Sequence, residues 1–442
     1  MRVRVGTLCS GYDSQCLAME RLKRNFPDFD YELVFWSEFD PESKRPLDKQ
    51  PAVIAHNALF PQWADRNVGD MTKADWSAVG EIDLLTYSTP CTDISNAGRQ
   101  AGAEKDSGTR SSIIWHTEKA IRTLRPKYLL MENVANFVSK AHIGTFKAWM
   151  ALVESLGYNN FAKVLNATEF GCPQNRERIF VVSIRKDISD KFYFPQPIKL
   201  EKRFKDVLES NVDEKYYLSN ALISSLSSDN KGFKAMKPST PPHTGVASCL
   251  TARMHKMGRS DNYIMETNKP ICLNSKVDGK QPSVQDRIYS IEGCAVAITS
   301  GWLQNIAEPQ VMQVGNIVDD TNIGFKNPQR GRIYSADGLS PALNCCKGGG
   351  LEPKIVEGEI PSNNLLELVQ AGLVRIRKIT PREAFRLMDI EEEYIDVLMS
   401  CGVANTGMYQ LAGNSIVVGC LYHIFRKMFC EVENENDQLT LF

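Results

Sequence analysis

This sequence lacks long apolar runs, paired cysteines and any excess of charge. No stretch approaches the roughly 20 apolar residues that a bilayer-crossing helix needs. The start, Met1-Arg2-Val3-Arg4-Val5-Gly6, lacks the apolar core of a signal peptide. The expectation is a cytoplasmic protein with no membrane partner. Its 12 cysteines include no Cys-x-x-Cys pair and are spread thinly over 442 residues. That excludes a disulfide scaffold, and no metal site is expected. Lys and Arg number 52 against 53 Asp and Glu, a net charge of −1, so nucleic-acid binding has no global electrostatic signature. What remains, 43% hydrophobic and 24% charged residues, is an ordinary globular composition that excludes disorder, collagen and coiled coil. The length suits two or three domains.

In the first third, apolar runs alternate with amphipathic stretches. Residues 3–9 read as a buried strand, 10–14 as a turn, and 15–25 as a helix with Leu17, Ala18 and Leu22 on one face. Further strands are expected at 31–37, 82–87 and 128–131, with a helix at 111–123 and Pro41 placed to begin another. This order is the βαβ pattern of a doubly wound α/β sheet. Such sheets bind ligands beyond the carboxyl ends of their strands. Residues 10–14, Glu38, Asp70, Pro90-Cys91 and Glu132-Asn133 are therefore expected to share one crevice.

From residue 187 to about 375 the chain is rich in Pro, Gly, Ser and Asn with short strand-like runs, as in a smaller β-rich domain. Arg287-Ile288-Tyr289-Ser290-Ile291-Glu292-Gly293 repeats as Arg332-Ile333-Tyr334-Ser335-Ala336-Asp337-Gly338, and Gly245-Val246-Ala247-Ser248-Cys249-Leu250-Thr251 echoes the tail of that unit. A duplicated strand-turn-strand explains the repeat, and loops facing a polymer would also use it. Residues 231–350 carry 14 Lys and Arg against 9 Asp and Glu, a balance that permits phosphate contact. The expected division is 1–186, 187–375, and a 376–442 segment returning to the first domain. In that segment Thr380-Pro381-Arg382-Glu383 is a capping signal. Residues 416–428 read as a final helix, before a polar tail expected to fray.

Cys91 follows a buried strand and precedes a loop of small polar residues, where backbone donors favour a thiolate. Most cysteines are small core residues, and position alone leaves both readings open for Cys91. Glu132 could equally be a surface acid, and Arg176 with Arg178 a strand-start ion-pairing couple. The blocks taken together decide the matter. Pro90-Cys91, Met131-Glu132-Asn133-Val134 and Pro173-Gln174-Asn175-Arg176-Glu177-Arg178-Ile179-Phe180 occur in that order, with Gly69-Asp70-Met71, Glu38, the Thr380 block and Gln410-Leu411-Ala412-Gly413-Asn414-Ser415. This set resembles the signature blocks of the cytosine-C5 DNA methyltransferase family, of bacterial or phage modification type, over essentially the whole chain.

The resemblance implies a class I S-adenosylmethionine-dependent methyltransferase fold with a β-rich target-recognition domain, acting as a monomer on double-stranded DNA among the nucleoid. A cognate restriction endonuclease acting separately is a further partner the resemblance allows. It implies that Cys91 adds to C6 of a flipped-out cytosine, that Glu132 faces the N3/N4 edge, that Arg178 binds O2 and that Arg176 holds the loop or thiolate. It places S-adenosylmethionine against Leu8, Cys9, Ser10, Gly11, Tyr12, Glu38, Phe39, Asp70, Met71, Pro90, Asn414 and Ser415, with Glu38 on the ribose hydroxyls. The first turn departs from the family's Phe-x-Gly-x-Gly, since Cys9 stands at the Phe position and Asp13 at the second glycine. Asp13 would oppose a pyrophosphate, which favours the cationic sulfonium over a nicotinamide dinucleotide. Two alternatives use the same scaffold. An RNA cytosine-C5 methyltransferase would not need the large 187–375 insert, and an inactive DNA-binding protein would be expected to lose Cys91, Glu132 or Arg178. An amino-methyltransferase would need an Asp/Asn-Pro-Pro-aromatic block, which Ser88-Thr89-Pro90-Cys91 does not supply.

Overall fold

The computed structural model describes residues 1–90, 94, 102–105, 107–202, 204–217 and 375–431, together with short strands between 288 and 357. The chain divides into two units, one of Met1–Cys172, Glu177–Leu200 and Met388–Phe442, the other of Pro173–Arg176 and Glu201–Leu387. Among the described residues no helix is long and apolar enough to cross a membrane.

The first unit is built on β1 (Arg2–Leu8), β2 (Asp30–Ser37), β3 (Leu84–Tyr87), β4 (Tyr128–Val134) and β5 (Tyr158–Asn166). After β6 (Gln174–Asn175), which belongs to the second unit, β7 (Glu177–Arg185) completes the sheet in the order β2-β1-β3-β4-β7-β5. β1 runs parallel to β2 and β3, and β3 parallel to β4. β7 runs antiparallel between β4 and β5. β3 is buried at all four positions and β7 over six in succession, as in a sheet covered on both faces. One face packs Leu85, Tyr87, Leu129, Met131, Ile179 and Val181 with Ala120 and Ile121 of α3 (Thr117–Leu124) and Phe146, Trp149 and Val153 of α4 (Ile143–Ser155). α1 (Ser14–Asn25) packs beside the last helix, α8 (Val418–Phe429), with Phe29 and Phe429 stacked at 6.1 Å. Arg21 binds Asp389 at 2.6 Å and Glu391 at 2.9 Å, which ties α1 to the turn before α6 (Glu392–Ser400).

In the second unit β10 (Gln313–Asn316), β11 (Arg332–Tyr334), β13 (Lys354–Glu357) and β14 (Arg375–Lys378) form a sheet in that order. β8 (Ile288–Ser290) pairs with β9 (Asn305–Ala307), and β12 (Ser340–Pro341) with β6. After β14, Thr380 caps α5 (Pro381–Arg386) as the sequence predicts: its side chain accepts from the Glu383 amide and the Glu383 side chain accepts from the Thr380 amide. Glu383 also receives Arg377 at 2.9 Å on each carboxylate oxygen, both side chains fully buried.

Several boundaries differ from the sequence reading. Pro41 lies in a turn, and Pro51 begins α2 (Pro51–Leu59) instead; both prolines fit a first helical turn, but only 51–59 continues with the apolar spacing that buries Val53, Ala55 and Leu59. The 111–123 helix is a 3₁₀ segment, Arg110–His116, followed by α3. β4 runs on to Val134, held by its antiparallel pairing to β7, so Glu132 and Asn133 lie within the strand and not after it. The two repeat copies both form strands but in different surroundings, β8 parallel to β9 and β11 antiparallel to β10. The third copy and the 432–442 tail lie outside the described residues.

Candidate active site

The turn after β1 is set by backbone conformations that L-residues adopt reluctantly. Cys9, Gly11 and Asp13 have φ of 51°, 60° and 68°, all in the left-handed region that favours glycine or a short polar residue. Cys9 therefore ends the strand expected to include it. The turn is pinned to the end of β2 by the Ser10 amide on the Ser37 carbonyl at 3.2 Å and by the Gly11 amide on Glu38 Oε2 at 2.7 Å. Burial pushes the Glu38 carboxyl up to about 7; the Gly11 amide and Arg110 oppose that rise, while Asp40 and Asp13 add to it. The Cys9 thiol, 3.8 Å from Met71 Sδ, is pushed far up by burial and by Glu38. It is a packing residue and not a nucleophile.

Ser37 Oγ donates to the Gly69 carbonyl at 2.7 Å, which brings 69–71 to the same strand end. Burial acts to raise the Asp70 pKa, but the Thr72 hydroxyl and amide and Lys73 hold it below the ordinary carboxylate range. Met71 is buried, Leu8 and Tyr12 are buried, and Phe39 is exposed. This setting fits S-adenosylmethionine. A half-buried carboxylate stands ready for paired hydroxyls, acidic groups suit a sulfonium, and the lysine beside Asp70 is already paired with it at 3.1 Å.

Asp13 does not face this setting, contrary to the expectation that it would oppose a phosphate there. Its side chain is fully buried, accepts from Thr7 Oγ1 at 2.9 Å and lies 3.5 Å from His56 Nε2.

The second cluster lies on β4 and β7. Val134 pairs with Arg178 and Glu132 with Phe180, so Glu132 and Arg178 are diagonal neighbours on one face of the sheet. Arg178 Nε lies 3.1 Å from Glu132 Oε1, with side chains 12% and 11% exposed, a pair close enough to fix the orientation of both groups. The neighbouring Asn133 points to the other face, where its Nδ2 donates to the Thr89 carbonyl at 3.2 Å. Pro90 has no amide to offer a ladder, and a side-chain donor takes up the carbonyl before it. Asn136 Nδ2 in turn donates to the Ile94 carbonyl at 2.5 Å. The sequence placed Asn133 at the crevice without its bond to Thr89 and did not single out Asn136.

Cys91 itself lies outside the described residues. Pro90 is half-buried at the edge of that segment. Arg176 is buried and belongs to the second unit. Asn414 closes α7 (Asn405–Asn414) and is exposed, with Ser415 half-buried after it. Arg110 was also missed: it pairs with Asp40 at 3.5 Å and Glu42 at 3.1 Å and acts on Glu38, yet nothing in its local sequence marks it. Among the described residues no group of three or more His, Cys, Asp or Glu is placed to hold a metal ion.

The family model of C-5 cytosine-specific DNA methylase matches residues 3–430. The type II methyltransferase M2.ScrFI of Lactococcus lactis subsp. cremoris is 32% identical over 83% of this chain and 71% of its own length. The orphan methyltransferase M.SPRI of Bacillus phage SPR is 27% identical over 99% of this chain and 100% of its own. Among solved structures, S. pombe Dnmt2 methyltransferase superimposes with a TM-score of 0.55 over 96% of this chain and 97% of that one, at 16% identity, a likeness of fold.

Proposed function

This chain belongs to the C-5 cytosine-specific DNA methylase family, and on that premise we propose that Cys91, Glu132 and Arg178 act together on a cytosine turned out of duplex DNA. The enzyme is a DNA cytosine-5 methyltransferase of the class I fold that uses S-adenosylmethionine. That molecule, when bound, supplies the methyl group.

The observation that carries the site reading is the Glu132–Arg178 pair at 3.1 Å on the β4–β7 face, where the next residue of β4, Asn133, holds the residue before Pro90-Cys91. Cytosine C5 is a weak nucleophile. The Cys91 sulfur forms a bond to C6, and the ring electrons move to C5 as Glu132 lends a proton to N3. Arg178 keeps Glu132 aimed and meets O2. Once C5 carries the methyl group its proton passes to water, N3 returns its proton to Glu132 and the Cys91–C6 bond breaks, which restores the ring and the thiolate. Both ring faces must be reached, so the base has to leave the stack.

Leu8, Cys9, Ser10, Gly11, Tyr12, Glu38, Phe39, Asp70, Met71, Pro90, Asn414 and Ser415 hold the methyl donor, with the Glu38 carboxylate on the ribose hydroxyls and Asp70 and Met71 flanking the adenine. The β-rich insert that the sequence places at 187–375 is the target-recognition domain that selects a specific sequence. The protein acts as a monomer in the cytoplasm on nucleoid DNA, with any cognate endonuclease acting apart from it.

The test is a duplex with 5-fluorocytosine at the target position, incubated with S-adenosylmethionine. Fluorine cannot leave C5 as a cation, so the Cys91–C6 bond persists. The account expects a protein–DNA adduct stable to denaturation, mapped by mass spectrometry to the peptide containing Cys91 and absent in Cys91→Ser. An adduct at another cysteine would overturn the assignment.

A further inference from the structure

Beneath the turn that carries Gly11 lies a polar pair that the chemistry above does not use. Asp13 is fully buried, as is His56 on α2, and His56 Nε2 lies 3.5 Å from Asp13 Oδ2. That is longer than a full hydrogen bond, and neither ring nitrogen has a closer partner among the described residues. The same Asp13 oxygen accepts from Thr7 Oγ1 on β1. The His56 ring stacks on Trp36 with centroids 3.6 Å apart and planes 16° apart. Trp36 stands two residues before Glu38. Asp13 and His56 thus brace the two strand ends from below, while the Gly11–Glu38 hydrogen bond joins them above. Buried polar side chains cost free energy unless they are hydrogen-bonded, and among the described residues both His56 ring nitrogens and Asp13 Oδ1 are buried without a hydrogen bond. Asp13 adds a left-handed backbone at φ 68°, a conformation glycine would take without strain.

We infer that the buried Asp13–His56 pair is a positioning device for the methyl donor: it fixes the turn 9–13 so that the Gly11 amide stays on Glu38. The inference rests on Glu38 being the carboxylate that takes the ribose hydroxyls. A turn set in advance spares the ligand the cost of ordering it.

The test uses the full chain, without DNA, titrated with S-adenosylmethionine by calorimetry, alongside the unfolding midpoint of the free protein. Asp13→Gly relieves the backbone strain and removes the brace; Asp13→Asn keeps an acceptor for Thr7. The inference expects Asp13→Gly to bind on the order of tenfold more weakly with an unfolding midpoint no lower than that of the parent. Asp13→Asn should lose no more than about a third of that free-energy change. In turnover, KM for S-adenosylmethionine should rise in Asp13→Gly while kcat at saturation stays within about twofold. Parent-like binding by Asp13→Gly would overturn the inference and reduce Asp13 to a turn residue. An equal loss in both variants with lowered midpoints would also overturn it, since the pair would then be structural support alone. If the parent protein failed to bind, the cofactor reading itself would fall.

Discussion

At the scale of single residues, Glu38 couples the cofactor site to pH. Its carboxyl is pushed up to about 7 by burial, against the Gly11 amide and Arg110 and with the charges of Asp40 and Asp13. Ribose hydroxyls donate best to the ionised form, so binding should release a proton wherever the free protein holds Glu38 neutral. Affinity for S-adenosylmethionine is then level above pH 7 and falls as pH drops below it, by up to about tenfold per unit. Calorimetric titrations from pH 5.5 to 8.5 check this, and Glu38→Gln should flatten the profile while lowering affinity throughout. Glu132→Gln keeps the shape of the side chain but removes the proton donor. It should reduce kcat by about 10²- to 10⁴-fold with little change in KM for the cofactor. Glu38 was legible as an acid at the end of its strand, whereas Glu132, expected after β4, lies within it. The inward turn of Asp13 was not legible, since it depends on His56 and Trp36, far off in sequence, filling the space beneath.

Among elements, the antiparallel insertion of β7 between β4 and β5 shapes the site. It extends β4 to Val134 and sets Arg178 diagonal to Glu132. The alternation of strands and helices was readable from apolar spacing; the direction and placement of β7 were not, because register is a property of pairs and no local pattern encodes it. Pro41 and Pro51 illustrate the same limit, since a proline permits a helix start but the following residues decide it. The capping box at Thr380 was fully legible, being local. What it feeds was not: Glu383 also takes both Arg377 nitrogens and the Glu209 amide. Replacing one partner of that buried pair strands the other. Arg377→Met should therefore destabilise the protein by about 3–5 kcal/mol, read as a lower urea midpoint. Asn133→Ala should lower kcat, read in steady-state assays, because it frees the Thr89 carbonyl two residues before Cys91.

For the whole molecule, a net charge of −1 leaves DNA binding to local charge. The excess of Lys and Arg at 231–350 predicts that duplex affinity falls steeply as salt is raised, with a log–log slope of several units, while affinity for S-adenosylmethionine hardly changes. Family and fold class were legible because the blocks recur in order from end to end of the chain. Which bases are read was not, because that depends on the side chains that reach the groove and no code links such an insert to sequence. The central claim is that this chain methylates C5 of cytosine in duplex DNA through Cys91. Its most direct test is transfer of labelled methyl from S-adenosylmethionine to unmethylated duplex DNA, with RNA and the Cys91→Ser variant alongside and the product nucleoside identified. The account predicts 5-methylcytosine in DNA, none in RNA and none with Cys91→Ser. Label in RNA instead, or undiminished label in DNA with the variant, would contradict it.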